Sequence, residues 1–384
     1  MRAMRGPVMV VMLLAASACS DDDDVGSGVA SDSASESATS APAPTTTATA
    51  PSTTEGAGTT VDLPTVPGVA DTTQPATTAT TAPGVSETTI ASTQCATLSA
   101  GVNETTLTAG GATHPVRIFV PSSYAASPVP VVLDWHGLGS NGPDQAAYSD
   151  YESVAEAEGF IVVHPTGVTD VPGGPNSWQL FPDPGRERDD LAFAGALIDE
   201  LVANWCGDPM RIYSTGMSNG GFFTARLICE MSDRIAAAVS VAGTYHPEGC
   251  DPARDVPYIA IHGTDDMVVP YAGGESVLMT EDSPDEFRVF FEQVIPEEFD
   301  EFARDAGCDA NINAGVGENV VRHEYTGCDG DAPLIFYEVS GGGHTWPSSP
   351  LAALTVGSLG HTTDDIDATR DGWAFMSQYL LPTD

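Results

Sequence analysis

Gly216, Met217, Ser218, Asn219 and Gly220 stand between a run that reads as a strand, Arg211 to Thr215, and a run that reads as a helix, Gly221 to Cys229. A serine at so short a strand-to-helix turn is forced into a sharp bend, and the flanking glycines let the two elements approach closely. Its hydroxyl would stand at a helix N-terminus, where the dipole and unpaired N–H groups favour developing negative charge. The pattern is that of a nucleophile elbow, with Ser218 as candidate nucleophile.

The surrounding chain predicts where such an elbow would sit. Strand-like apolar runs occur at Val116 to Val120, Val131 to Trp135, Phe160 to His164, Arg211 to Thr215, Ile235 to Val241, Tyr258 to Ile261 and Leu334 to Val339. Helical spacing of apolar residues marks Asp190 to Trp205, and a similar pattern runs from Asp364 to Leu381. Near-continuous apolar strands alternating with helices predict an α/β fold, a mostly parallel sheet covered by helices on both faces. Such sheets bind ligands at the carboxyl ends of their strands. Chemistry is therefore expected on the loops that follow them.

Three of those loops carry suitable groups. Tyr258 to Ile261 is followed by a stretch containing His262, Asp265 and Asp266, and Leu334 to Val339 by three glycines and then His344. The order Ser218, an Asp, then His344 is that of α/β-hydrolases and differs from the orders of the chymotrypsin and subtilisin folds. In this reading His344 is the general base for Ser218, and an Asp fixes its tautomer. His136 and His262 each follow a buried-looking strand and precede Gly, so both read as loop supports. The loop His136 to Ser140 can offer the Leu138 backbone N–H, with that of Asn219, as an oxyanion hole.

The N-terminal part has a different character. Met1 to Arg5 is basic, Pro7 to Ala16 is apolar but too short to span a bilayer, and Ala16-Ser17-Ala18-Cys19 resembles a bacterial lipobox. Residues 1–19 thus read as an export signal with Cys19 as the lipidation site. Residues 20–94 consist mostly of Ser, Thr, Ala, Pro, Gly and acids, with no aromatic residue, and read as a disordered tether. The catalytic domain is expected over 95–384. The chain carries a net charge of −41 and no Lys, which argues against nucleic acid as a partner and leaves a lipid anchor as the only expected membrane contact. The cysteines beyond Cys19 are even in number, and export makes disulfides their expected state; Cys308 and Cys328 bracket one short segment and are the favoured pair. No Cys/His spacing fits a zinc site.

Taken together, the His136-Gly137 loop, Asp189-Asp190, Gly216 to Gly221, His262 to Tyr271 and Gly341 to Pro347 resemble the secreted polyhydroxybutyrate depolymerase-like esterases, a family that includes feruloyl and acetylxylan esterases. The resemblance implies an α/β-hydrolase fold, no cofactor, and hydrolysis of a polyester oligomer or an esterified polysaccharide by an exported or cell-surface protein. It assigns the triad Asp to Asp266 and also favours the Cys308–Cys328 disulfide. Asp189 and Asp190 match a family pair but read more simply as a helix cap. Trp178 and Trp346 are candidates to line a substrate groove. An acyltransferase on the same fold and a non-catalytic binding lipoprotein are the competing readings; the intact Ser218, Asp266 and His344 argue against the second.

Overall fold

The computed structural model describes residues 98–125, 127–169, 173–181, 187–280 and 291–383. The expected export signal, Cys19 and the 20–94 tether lie outside them. Ten strands form one sheet: β1 (Gly101–Ala109), β2 (Ala112–Val120), β3 (Val129–Trp135), β4 (Ile161–Pro165), β5 (Gly207–Met217), β6 (Ala237–Val241), β7 (Tyr258–Gly263), β8 (Ala310–Val316), β9 (Val320–Thr326) and β10 (Leu334–Val339). Their order is β1-β2-β4-β3-β5-β6-β7-β10-β9-β8. The middle six, β4 to β10 in that order, run parallel, while β1 and β2 on one flank and β9 and β8 on the other are antiparallel additions.

Every residue of β4, β6 and β7 is buried, as a strand covered on both faces requires. Alternate strand residues feed two cores. Leu133, Ile212, Ala238 and Ala260 pack on one face with Phe193 and Leu197 of α3 (Asp190–Asn204), Phe223 of α4 (Asn219–Glu230) and Phe299 of α5 (Ile295–Asp305). Val132, Tyr213, Val239 and Ile259 pack on the other with Tyr151 and Val154 of α2 (Tyr151–Glu158) and Trp373 of the last helix. Between β3 and α2 lies α1 (Gly142–Ser149), and beyond β10 come α6 (Ala352–Leu359) and α7 (Ala368–Met376).

Local chemistry sets the helix ends. The Asp189 side chain accepts from Ala192 N at 3.0 Å and starts α3, as the cap reading anticipates. The C-terminal helix is shorter than the 364–381 pattern suggests, because Asp367 caps it by accepting from Thr369 N and Arg370 N. Disulfides pin the periphery: Cys308–Cys328 closes the base of the β8–β9 hairpin, and Cys229–Cys250 ties the end of α4 to the loop after β6.

Candidate active site

Ser218 joins β5 directly to α4 with φ 55° and ψ −120°, a conformation a non-glycine residue holds only where its surroundings enforce it. The enforcement is visible. A Cβ on Gly220 would lie 2.0 Å from Trp135 O, and one on Gly243 would lie 2.1 Å from Ser218 O. Only glycine lets α4 come this close to β3 and lets the loop after β6 pass behind the serine. Ser218 N donates to Val241 O at 2.9 Å, and Ser218 O accepts the first bond of α4 from Phe222 N. The N–H groups of the first helical turn thus point beyond the helix end.

β7 and β10 lie side by side in parallel register, so the loops after them leave the sheet together. Thr264 N donates to Val339 O and Asp265 N to Gly342 O, both at 2.9 Å, binding the two loops to each other. Across this seam His344 Nδ1 lies 2.8 Å from Asp266 Oδ2. Asp266 is buried, its Oδ1 accepts from Val268 N and Val269 N at 2.8 Å each, and His262 Nε2 stands 3.4 Å from its Oδ2. Burial alone would raise the Asp266 pKa, but the neighbouring His344 and the bonds from His262 and His344 hold it well below the ordinary carboxylate range. An ionised carboxylate only accepts, so Nδ1 of His344 donates and Nε2 of the neutral ring keeps its lone pair. Asp265 is exposed. The His344 loop is closed from behind by His344 N to Leu359 O at 2.7 Å and Gly343 N to His361 O at 2.8 Å.

The third loop, after β3, reaches Ser218 itself. A Cβ on Gly137 would lie 3.4 Å from Ser218 Cβ and 3.9 Å from Ser218 Oγ. Gly137 to Ser140 forms a tight turn closed by Ser140 N to Gly137 O at 3.1 Å, and Gly139 supplies the positive φ of 81° at its third residue. The Leu138 N–H, second in the turn, is not needed to close it. His136 holds the loop from below: Nε2 accepts from Gly167 N at 2.8 Å, which makes Nδ1 the donor to Gly137 O at 2.7 Å. Burial lowers its pKa to about 4, consistent with a neutral strut. Among the described residues no cluster of His, Cys, Asp and Glu could hold a metal ion.

Residues 120–280 match the Phospholipase/Carboxylesterase family. The chain has the α/β-hydrolase fold and is similar to carboxylic ester hydrolases. The putative esterase NocK of Nocardia uniformis subsp. tsuyamanensis is 28% identical over 277 residues, covering 68% of this chain and 79% of that protein. The bifunctional acetylxylan esterase/xylanase XynS20E of Neocallimastix patriciarum is 27% identical, covering 71% of this chain but only 34% of that protein. Feruloyl esterase B of Piromyces equi is 27% identical, covering 70% and 45%. The chain therefore spans about a third and under half of the length of these two relatives. The solved acetyl xylan esterase from Aspergillus awamori superposes with a TM-score of 0.45 at 17% identity, covering 64% of this chain and 94% of that one.

Two expectations for the site need correction. Trp178 is 2% exposed and Trp346 fully buried, so neither ring lines a groove. Trp178 sits edge-on to Trp135 and stacks on Phe223, with its indole N–H donating to His136 O at 3.1 Å. Trp346 donates to Thr369 Oγ1 at 2.9 Å, and that hydroxyl donates in turn to Ser149 O, so α1 and α7 are joined through the segment after His344. Both rings brace site loops from within the core.

Other contributors go beyond the sequence reading. The Asn219 side chain grips the Trp178 backbone from both sides, accepting from its N–H at 2.6 Å and donating to its C=O at 3.1 Å. Asp190, read only as part of a cap, is buried and holds Arg188, whose guanidinium also bonds Val168 O. Asp134, near the end of β3, accepts from Gln145 and Ser149 at 2.8 and 2.6 Å and lies 3.1 Å from His164, fixing α1 beneath the His136 to Ser140 loop. An Asp interrupting the apolar run Val131 to Trp135 was the available signal for that last cluster.

Proposed function

We propose that this chain is an exported serine esterase that cleaves carboxylic esters through an acyl-enzyme on Ser218. The observation that carries the reading is the 2.8 Å contact between His344 Nδ1 and the buried Asp266, on strand ends at the same edge of the sheet as Ser218. Ser218 Oγ attacks the ester carbonyl carbon while His344 Nε2 takes its proton. Asp266 keeps the ring in the required tautomer and stabilises the imidazolium. The tetrahedral oxyanion accepts hydrogen bonds from the backbone N–H groups of Leu138 and Asn219, on either side of the serine. Collapse expels the alcohol, which takes the proton from His344. A water then attacks the acyl-enzyme with the same base, releasing the acid and restoring Ser218.

The names of the relatives support acetylated or feruloylated polysaccharide as substrate, and the family resemblance adds polyester oligomers. Disulfides at Cys229–Cys250 and Cys308–Cys328 support an oxidising compartment, and the sequence from Met1 to Cys19 supports export with a lipid on Cys19. The test is labelling by a fluorophosphonate probe together with ester turnover. Wild type should label and Ser218→Ala should not, with kcat falling by about 10⁴-fold or more. A Ser218→Ala protein retaining turnover within about tenfold of wild type would overturn the assignment.

A further inference from the structure

Residues 176–180 belong to no helix or strand of the sheet, yet their backbone is held without a gap. Asn176 O accepts from Gly139 N at 2.8 Å, Ser177 N donates to Val168 O at 3.2 Å, and Ser177 O accepts from the Arg188 guanidinium. The Asn219 amide bonds both N–H and C=O of Trp178. Gln179 N donates to Asp190 at 2.8 Å, Gln179 O accepts from Arg226 at 2.9 Å, and Leu180 O accepts from the Tyr245 hydroxyl at 2.8 Å. Loop backbone at a surface usually leaves such groups to water. Here Asp190, Arg188 and Arg226 are buried around one short segment, in a chain with only 13 Lys and Arg. Buried charge adds little net stability, so its concentration here points to a demand on geometry.

The segment meets both halves of the candidate oxyanion hole. On one side Asn176 takes Gly139 N on its carbonyl and gives its side-chain Nδ2–H to Ser140 O at 3.0 Å, gripping the turn that carries the Leu138 N–H from two points. On the other side Trp178 is locked to the side chain of Asn219, whose own backbone N–H is the second donor. The Trp178 indole adds a bond to His136 O at 3.1 Å, at the root of the first loop. Between them Ser177 is bridged to Val168, which keeps this stretch extended, so Asn176 and Trp178 lie about 7 Å apart and face the same way. A short extended strut thus joins two donors that come from different strands, β3 and β5.

We propose that residues 176–178 set the spacing between the Leu138 and Asn219 N–H groups, with the side chains of Asn176 and Asn219 as positioning residues for the oxyanion hole. The inference rests on the esterase reading and deepens it. Both donors must stand about 2.7–3.1 Å from the same developing oxyanion, and a misplacement of about 1 Å can cost on the order of 10²-fold. Neither amide side chain touches the substrate in this role. Each acts through a backbone N–H that its own removal leaves in the chain.

The experiment uses the full chain as wild type, Asn176→Ala, Asn219→Ala and the double variant, with Tyr245→Phe as a control that loosens the segment beyond Trp178. Folding is checked by circular dichroism, and the two single variants approach the strut from either end, so either one that folds decides. Kinetics on p-nitrophenyl acetate are compared with inhibition by 1,1,1-trifluoropropan-2-one, whose adduct on Ser218 carries the oxyanion. Each single variant should lose about 10- to 100-fold in kcat, less than the 10²–10³ of losing a donor outright, with KM within about threefold of wild type. The inhibition constant should rise by the same factor as kcat/KM falls. One shared spacing also makes the losses non-additive, so the double variant should stay within about threefold of the worse single one. Tyr245→Phe should leave kcat and inhibition within about threefold of wild type. The proposal is overturned by single variants that keep their kcat, by a rise in KM alone, by losses that multiply in the double variant, or by Tyr245→Phe losing as much as Asn176→Ala. Wild type that neither reacts with a fluorophosphonate nor cleaves the ester sinks the esterase reading itself, whereas an active wild type with indifferent variants sinks only the strut.

Discussion

Asp265 and Asp266 are neighbours in sequence and opposites in environment. Asp265 faces water, while Asp266 is buried with two backbone N–H groups on one oxygen and His344 on the other. Asp266→Asn keeps the shape but removes the charge that selects the tautomer, so kcat on a dissolved ester should fall by about 10⁴-fold. Asp265→Asn should stay within about threefold of wild type, since surface substitutions remote from packing and charge networks shift energies by about 0.5 kcal/mol. One ester assay on both variants, matched for folding by circular dichroism, decides between them; a crippled Asp265→Asn beside an active Asp266→Asn would move the acid by one residue. At this scale the sequence was legible where backbone chemistry forces a role. Glycines around Ser218 and before His344 announce turns that only special positions require. The choice between the two aspartates came from family resemblance, because two adjacent carboxylates on a loop look alike until the fold turns one inward. Trp178 and Trp346 misled for a related reason: a ring's value as a groove wall depends on what packs over it, and in both cases the core does.

The elements depend on close contacts that substitution can probe. A methyl group on Gly220 would meet Trp135 O at 2.0 Å, pushing α4 off β3 and displacing both the elbow and the loop that begins at His136. Gly220→Ala should cost on the order of 4 kcal/mol and abolish probe labelling. Gly357→Ala, in α6 with nothing within 4 Å of the added methyl, should be neutral or gain up to about 1 kcal/mol. Urea unfolding of the two variants beside wild type measures both, and equal midpoints would show that the elbow tolerates a gap between α4 and β3. The seven strands read from the sequence are those with continuous apolar runs. β1 and β8 escaped because Gly101–Ala109 and Ala310–Val316 lie mainly exposed at the sheet edges, and their polar residues give no periodic signal. β9 is only half-buried, and Arg322, His323 and Glu324 in its middle conceal it.

Across the whole molecule the dominant force outside the core is repulsion among acids. With a net charge of −41 and no Lys, few of the carboxylates find a cation, and pairs such as Arg117 with Glu152 and Glu104 share the few arginines available. Added salt shortens the range of that repulsion from about 10 Å at 0.1 M to about 3 Å at 1 M. The melting temperature should therefore rise, by on the order of 5 °C between 0.05 and 1 M NaCl. Calorimetry of the full chain checks this, and a melting temperature that falls with salt would mean that attractive ion pairs outweigh the excess charge. The link from Trp346 through Thr369 to Ser149 adds a consequence in time. A growing chain exposes Ser218 about 150 residues before Thr369, which at roughly 5–20 residues per second is a delay on the order of 10 s. For most of that interval the base His344 has not itself been made, and once it has, its loop still lacks the hydroxyl that anchors it. Competence is thus among the last properties the nascent polypeptide acquires.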